Sequence, residues 1–239
     1  MVLAKNFRFA RYLMLCAFLI LPLLNQAQLK QVHKQADYPF WINLPGDSIL
    51  KSKPPVLIFL HGRSLSGDNL EQVKGYGVIT EIVAGRKIPA IVIAPQVPAG
   101  KSWEPDKVLS VIEYVQKNYV TDTNRLYVVG MSLGGYGVLH FVGKYYYKVA
   151  GAIALCGGGN LSDACNLSKV NLWIQHGKKD RAVPFSESEN LVDAIKKCDN
   201  HGKKLKFTVY DNYGHGELAR SFRQDEFYNW LFEQRRDSI

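Results

Sequence analysis

The chain has 239 residues, 47% hydrophobic and 21% charged, which gives enough apolar material for one sizeable core and too little length for two independent domains. Its formal charge is +9, but the lysines are scattered ("KKD", "KKC", "GKKLK") and no Lys/Arg stripe interleaves with aromatics. The pattern therefore gives nucleic-acid binding no support, and no repeat or linker divides the chain.

Residues 1–27 put Lys5, Arg8 and Arg11 ahead of an apolar run from Tyr12 to Leu24 and end on small Ala27. That is the order of a secretory signal peptide. The alternative, an uncleaved membrane anchor, asks for a run of roughly 20 residues, and this one is shorter and contains Pro22. Lipid attachment at Cys16 would want a small residue where Leu15 stands. Cleavage near Gln28 leaves one domain over 28–239 in a secreted or periplasmic setting, without stable membrane insertion. Losing three basic residues also takes the formal charge from +9 to +6.

The stretch "YPFWINLP" (38–45) reads as an antiparallel strand at the start of a sheet. From residue 55 two textures alternate. β-rich runs stand at 55–60 (PVLIFL), 90–95 (AIVIAP), 125–130 (RLYVVG), 149–155 (VAGAIAL), 171–176 (NLWIQH) and 204–210 (KLKFTVY). Most are apolar throughout, as in strands covered on both faces. Helical patterns occupy 106–119, 133–145, 186–198 and 217–232. The alternation predicts an α/β fold: a mostly parallel, doubly wound sheet with helices on both faces. Only "CGGGNLSDACNLSKV" separates Leu155 from the next strand, so no large cap domain is expected and the site should be open.

In such folds the site lies beyond the carboxyl ends of the strands. After "RLYVV" comes Gly130-Met131-Ser132-Leu133-Gly134, a G-x-S-x-G between strand and helix, where a nucleophilic serine occupies a strained turn. Serine needs a base and the base needs an orienting carboxylate, in the chain order serine, acid, histidine. Asp180 follows the strand at 171–176, and His215 follows the last strand, just before the final helix. Asp211 also follows the last strand and stays open as an alternative acid. His176 reads as a packed residue near the acid loop, His140 as a helix residue facing away from Ser132, and His33 and His201 as surface positions. The oxyanion donors are expected to be the backbone N–H groups of Leu133 and Arg63, the latter in the loop "HGRSLSGDN". Arg63, Trp103 and Tyr213 could present a charge and two aromatic faces to a substrate.

In the mature chain the cysteines are Cys156, Cys165 and Cys198. Cys156 ends a strand on the active-site side. Cys165 and Cys198 both lie where the chain has run back toward the opposite end of the sheet, so these two are expected to pair and Cys156 to remain a buried thiol.

The motifs "LHGRSLSGDN", "PAIVIAPQVPAGKSW", "VVGMSLGGYG", "LCGGGN", "HGKKDRAVPFS" and "YGHGELA" resemble those of small α/β-hydrolase esterases of the predicted peptidase or phospholipase/carboxylesterase type, close to feruloyl and acetylxylan esterases. The resemblance covers roughly 38–235. It implies serine-dependent hydrolysis of small or polymer-linked carboxylic esters by a catalytic domain that needs no cofactor and no metal. It also implies that Gln96 and Trp103 line the acyl or alcohol pocket. Where relatives often carry a small residue and then Gly-Glu-Arg after His-Gly, this chain has Arg63-Ser64-Leu65-Ser66, which leaves the ester specificity open. A small-peptide hydrolase and a non-catalytic binder that kept the fold are the competing readings.

Overall fold

The computed structural model describes residues 28–198 and 201–236. The expected signal segment lies outside the described residues, among which no helix is long and apolar enough to cross a membrane. In chain order the elements are β1 (Gln28–Val32), β2 (Phe40–Leu44), α1 (Asp47–Leu50), β3 (Val56–Leu60), α2 (Val78–Val83), β4 (Ile91–Pro95), α3 (Pro105–Asn118), β5 (Leu126–Met131), α4 (Leu133–Tyr145), β6 (Gly151–Leu155), α5 (Ala164–Leu167), β7 (Asn171–Gly177), α6 (Phe185–Lys196), β8 (Leu205–Tyr210) and α7 (Asp225–Glu233). They form one eight-stranded sheet of order β1-β2-β4-β3-β5-β6-β7-β8. Both pairings of β2 are antiparallel and all the others are parallel. The chain leaves β3 toward β4 on one side and returns to β5 on the other, so the strand order reverses at β3 and opens a crevice above the ends of β3 and β5.

The period of two along each strand divides the apolar residues between two cores. Val56, Ile58 and Leu60 pack with α3, α4 and α6 through Val111, Val138, Phe141 and Leu191. Leu57 and Phe59 face the other way, against Ile79 of α2 and Phe227 and Leu231 of α7. This double burial explains the continuously apolar strand sequences. Each such side chain contributes on the order of 1.5–3 kcal/mol before the entropy of ordering it is counted. In α3, Pro105 stands in the first turn, where its missing N–H is harmless, and Val108, Val111, Ile112 and Val115 form the buried face.

The short helices α1 and α5 go beyond the sequence reading, and so do three larger features. The edge strand β1, with alternating polar residues, was not expected. Nor was α2, whose sequence VITEIV is β-branched but whose Val78, Ile79 and Ile82 are buried in helical register. The expected final helix is two pieces: a 3-10 helix (Gly216–Arg223), extended backbone at Gln224, then α7. Continuing the face of Leu218, Ser221 and Phe222 in one helix would aim polar Asp225, Glu226 and Asn229 at the core. The break instead buries Phe227, Tyr228 and Leu231, and the Tyr228 hydroxyl donates to the Phe222 carbonyl at 2.9 Å.

Cys165 on α5 is bonded to Cys198 just beyond α6, and Cys156 is a buried free thiol. The bridge spans a sequence separation of 33, a loop for which chain entropy gives roughly 3–4 kcal/mol. Replacing both cysteines by alanine should lower Tm in a thermal melt while leaving kcat unchanged. An unaltered melt would show that packing of α5 on α6 suffices without the bond.

Candidate active site

Ser132 sits between β5 and α4 with φ 60° and ψ −122°, a conformation that side chains other than glycine rarely adopt. The turn is enforced from both sides. The Ser132 amide donates to the Leu155 carbonyl of β6 at 2.9 Å, and the Ser132 carbonyl accepts the Tyr136 amide at 3.0 Å. Gly134 passes so close to β3 that a methyl group there would lie 1.8 Å from the Leu60 carbonyl oxygen.

The side chains of Ser132, His215 and Asp180 form one chain of hydrogen bonds. His215 Nε2 lies 2.9 Å from Ser132 Oγ and its Nδ1 lies 2.7 Å from Asp180 Oδ2. Because the carboxylate can only accept, the ring proton is on Nδ1, and Nε2 is free to accept from the serine hydroxyl. The other carboxylate oxygen, Oδ1, accepts the Ala182 and Val183 amides at 2.8 and 2.9 Å. Burial works to raise the Asp180 pKa, but the Val183 amide, His215 and the Ala182 amide outweigh it and hold the carboxyl below its ordinary range. Asp211, the alternative acid, points away and pairs with Lys178 at the surface, 2.7 Å apart.

The two expected oxyanion donors flank Ser132 in a cavity of about 730 Å³. The Leu133 amide precedes the first bonded turn of α4, so no helical carbonyl uses it. Arg63 opens a 3-10 helix (Arg63–Leu65), and the amide before it, Gly62, is taken by the Tyr76 hydroxyl at 2.7 Å. The remaining walls include Trp103, Met131, Tyr136, His140, Val183 and Ala219.

His61 braces the loop that carries Arg63. Its Nδ1–H donates to the Gly62 carbonyl at 2.8 Å, and its Nε2 accepts the Val97 amide at 3.3 Å. A second proton would break the latter bond, and burial lowers its pKa to about 4. The unfolded chain then holds more protons than the folded one between about pH 4 and 6.5, so stability is complete above that window and is lost as pH falls through it, by about 3 kcal/mol for this one group. Buried His176 and half-buried His140 are lowered too and add with the same sign. Urea midpoints should therefore be clearly lower at pH 5 than at pH 7.5 with an unchanged slope; equal midpoints would count against neutral, buried imidazoles.

Of the expected pocket residues, Trp103 lines the cavity, its Nε1–H donating to the His61 carbonyl at 3.0 Å. Gln96 does not: it is buried behind the loop, where its amide donates to the Leu65 and Asn69 carbonyls, both at 2.9 Å. Tyr213 lies outside the cavity as well, stacked on Tyr210 with ring centres 4.4 Å apart. His140, expected to face away, is a wall residue because Leu133, Tyr136, Gly137 and His140 recur at helical spacing on one face of α4. That spacing was available in the sequence. Met131, Tyr76 and Ala219 come from separate segments that no local pattern joins.

Among the described residues, Cys156, Asp180 and His215 place ligand-type atoms within 4.8 Å of one another. Asp180 and His215 are already bonded to each other, and burial followed by the Asp180 charge push the Cys156 thiol well up, so it keeps its proton. The ligand-type atoms of this group are thus already engaged with one another or with a proton.

A family model described as the dienelactone hydrolase family matches residues 85–229, a span that holds Ser132, Asp180 and His215. A bifunctional acetylxylan esterase/xylanase of Neocallimastix patriciarum is 26% identical over 159 residues, 63% of this chain and 23% of that protein. The chain thus spans about a quarter of that relative's length. Among solved structures, a thermostable esterase is 26% identical with a TM-score of 0.72, over 88% of this chain and 64% of that one. A feruloyl esterase module of Clostridium thermocellum in complex with sinapinate is 16% identical with a TM-score of 0.65, over 85% and 88%. An acylaminoacyl peptidase of Pyrococcus horikoshii is 15% identical with a TM-score of 0.67, over 90% and 43%. At those identities the last two are similar in fold alone.

Proposed function

This chain belongs to the dienelactone hydrolase family, and on that premise we propose that it is a serine esterase that cleaves carboxylic esters through an acyl-enzyme intermediate. The observation that carries the reading is the unbroken relay from Ser132 Oγ through His215 to Asp180 Oδ2. As Oγ attacks the ester carbonyl carbon, its proton passes to His215 Nε2, and the charge that grows on the carbonyl oxygen is met by the Leu133 and Arg63 amides. Collapse of the tetrahedral intermediate breaks the bond to the alcohol oxygen, which takes the proton from His215 and departs. Water then repeats the sequence on the acyl-serine and releases the acid.

The cavity is wide, walled by aromatic side chains and, among the described residues, covered by no inserted domain: the connection from β6 to β7 contains only a 3-10 turn (Leu161–Asp163) and α5. This supports bulky or polysaccharide-linked esters as substrates. We also propose that the protein works outside the cytoplasm, a reading supported by the Cys165–Cys198 bond and by the charge and hydropathy order of residues 1–27.

A fluorophosphonate probe should label the wild-type protein at Ser132, with peptide mapping to locate the adduct. Hydrolysis of aryl acetate, methyl ferulate or acetylated xylan should exceed that of aminoacyl anilides. Preference for the anilides would make the protein a peptidase, and failure to label would make it a non-catalytic binder.

A further inference from the structure

Asp180 is contacted by a second imidazole. His176, the penultimate residue of β7, has a fully buried side chain, and its Nε2 lies 3.4 Å from Asp180 Oδ2, the same oxygen that holds His215 Nδ1 at 2.7 Å. The Val183 carbonyl lies 3.1 Å from that Nε2 on the other side. Both neighbours of Nε2 are acceptors, so the ring proton is there; it is donated to the Val183 carbonyl, with Asp180 Oδ2 the longer electrostatic neighbour of the same N–H. At the opposite edge, Nδ1 faces the Ser188 hydroxyl at 2.8 Å, and that hydroxyl reaches the Gly157 carbonyl at 2.7 Å, so its one proton lies between two acceptors. The ring edge also rests against Phe185. The charged and titratable groups that face His176 are Asp180 and His215, and the Cys156 thiol lies against the same carboxylate.

We propose that His176 is a positioning residue that sets the basicity of His215: it holds an N–H dipole beside the oxygen through which Asp180 acts and draws negative potential away from it. The inference rests on the esterase reading above. With the His176 donor present, Asp180 Oδ2 divides its attraction between two rings and stabilises the His215 imidazolium less. Removing the donor should have the opposite effect.

The test compares wild type with His176→Leu, which lacks the donor, and His176→Gln, whose amide N–H reaches near the same point. The acid limb of kcat/KM for an aryl ester is expected to move to higher pH in His176→Leu, by about half a pH unit or more, and to return toward wild type in His176→Gln. A role confined to holding the loop predicts otherwise: a looser Asp180 lowers kcat at every pH and leaves the limb in place or moves it to lower pH. Either of those outcomes overturns the proposal.

The same comparison by NMR titration of His215 in a Ser132→Ala background needs no turnover, so it separates this proposal from the esterase reading. Activity that survives Ser132→Ala would end that reading and leave the titration interpretable. Should His176→Leu fail to fold, the ¹⁵N spectrum of the wild-type protein decides. A His176 ring protonated on Nε2 at neutral pH is required, and one protonated on Nδ1 alone would refute the assignment.

Discussion

Ser132→Ala and His215→Ala are each expected to reduce kcat on an aryl ester by on the order of 10³-fold or more while changing KM little, because in the proposed mechanism both act on the reacting atoms only as the transition state forms. The double variant should be scarcely worse than either single one, since the two side chains work as a unit. Asp180→Asn is the more searching case. Its Oδ1 position accepts two backbone amides, at 2.8 and 2.9 Å, and only the carbonyl end of an asparagine can do so. The amide nitrogen is therefore forced to the Oδ2 position, where it presents N–H groups to His215 Nδ1 and opposes the donor on His176. The His215 proton must then move to Nε2, and the ring can no longer accept from Ser132. A loss of about 10⁴-fold is expected, by the logic of a trapped wrong tautomer. Asp211→Asn should be silent, since that carboxylate is spent on Lys178 at the surface. A fully active Asp180→Asn beside an inactive Asp211→Asn would reverse the assignment of the acid.

The parts of the molecule that could be read from the sequence are those in which local pattern and tertiary role agree. Strands such as Val56–Leu60 are apolar at every position because both faces of the sheet are covered, and the same fact makes them recognisable. Ser132, Asp180 and His215 each stand in the loop or turn that follows a strand, so the G-x-S-x-G motif and the serine-acid-histidine order pointed to their meeting with Asp211 left as a second acid, and the structure brings the first three within hydrogen-bond reach. Position along the chain was a poorer guide where packing decides. Gln96 follows β4 as a pocket residue would, yet its amide is used to tie down the neighbouring loop. Nothing local reveals that His176, read as a packed residue, shares an oxygen with His215, because the contact depends on how Val183 and α6 close over the acid loop. Helix α2 runs against its own β-branched propensity and forms because Val78, Ile79 and Ile82 fill the second core.

Gly134→Ala is expected to cost more than about 4 kcal/mol, the range reached when a buried site has no way to relax. The added methyl carbon would lie 1.8 Å from the Leu60 carbonyl oxygen, 2.5 Å from the Leu60 carbonyl carbon and 2.8 Å from the His61 carbonyl oxygen. All three are backbone atoms of β3 and the loop it feeds, so no rotamer change can make room. Either α4 lifts off β3 or the end of β3 leaves its pairing with β5, which joins Leu60 to Gly130. Both movements also separate the Leu133 amide from the Arg63 amide, so any protein that still folds should lose activity through kcat. Gly216→Ala is the control for stability: nothing lies within 4 Å of its added carbon, and it should stay within about 0.5 kcal/mol of wild type. Urea unfolding of the two variants at one pH provides the comparison. A Gly134→Ala protein within about 1 kcal/mol of wild type, with its kcat intact, would mean that α4 and β3 are not packed backbone to backbone, and the close approach that places the Leu133 and Arg63 amides, the proposed oxyanion donors, would have to be given up.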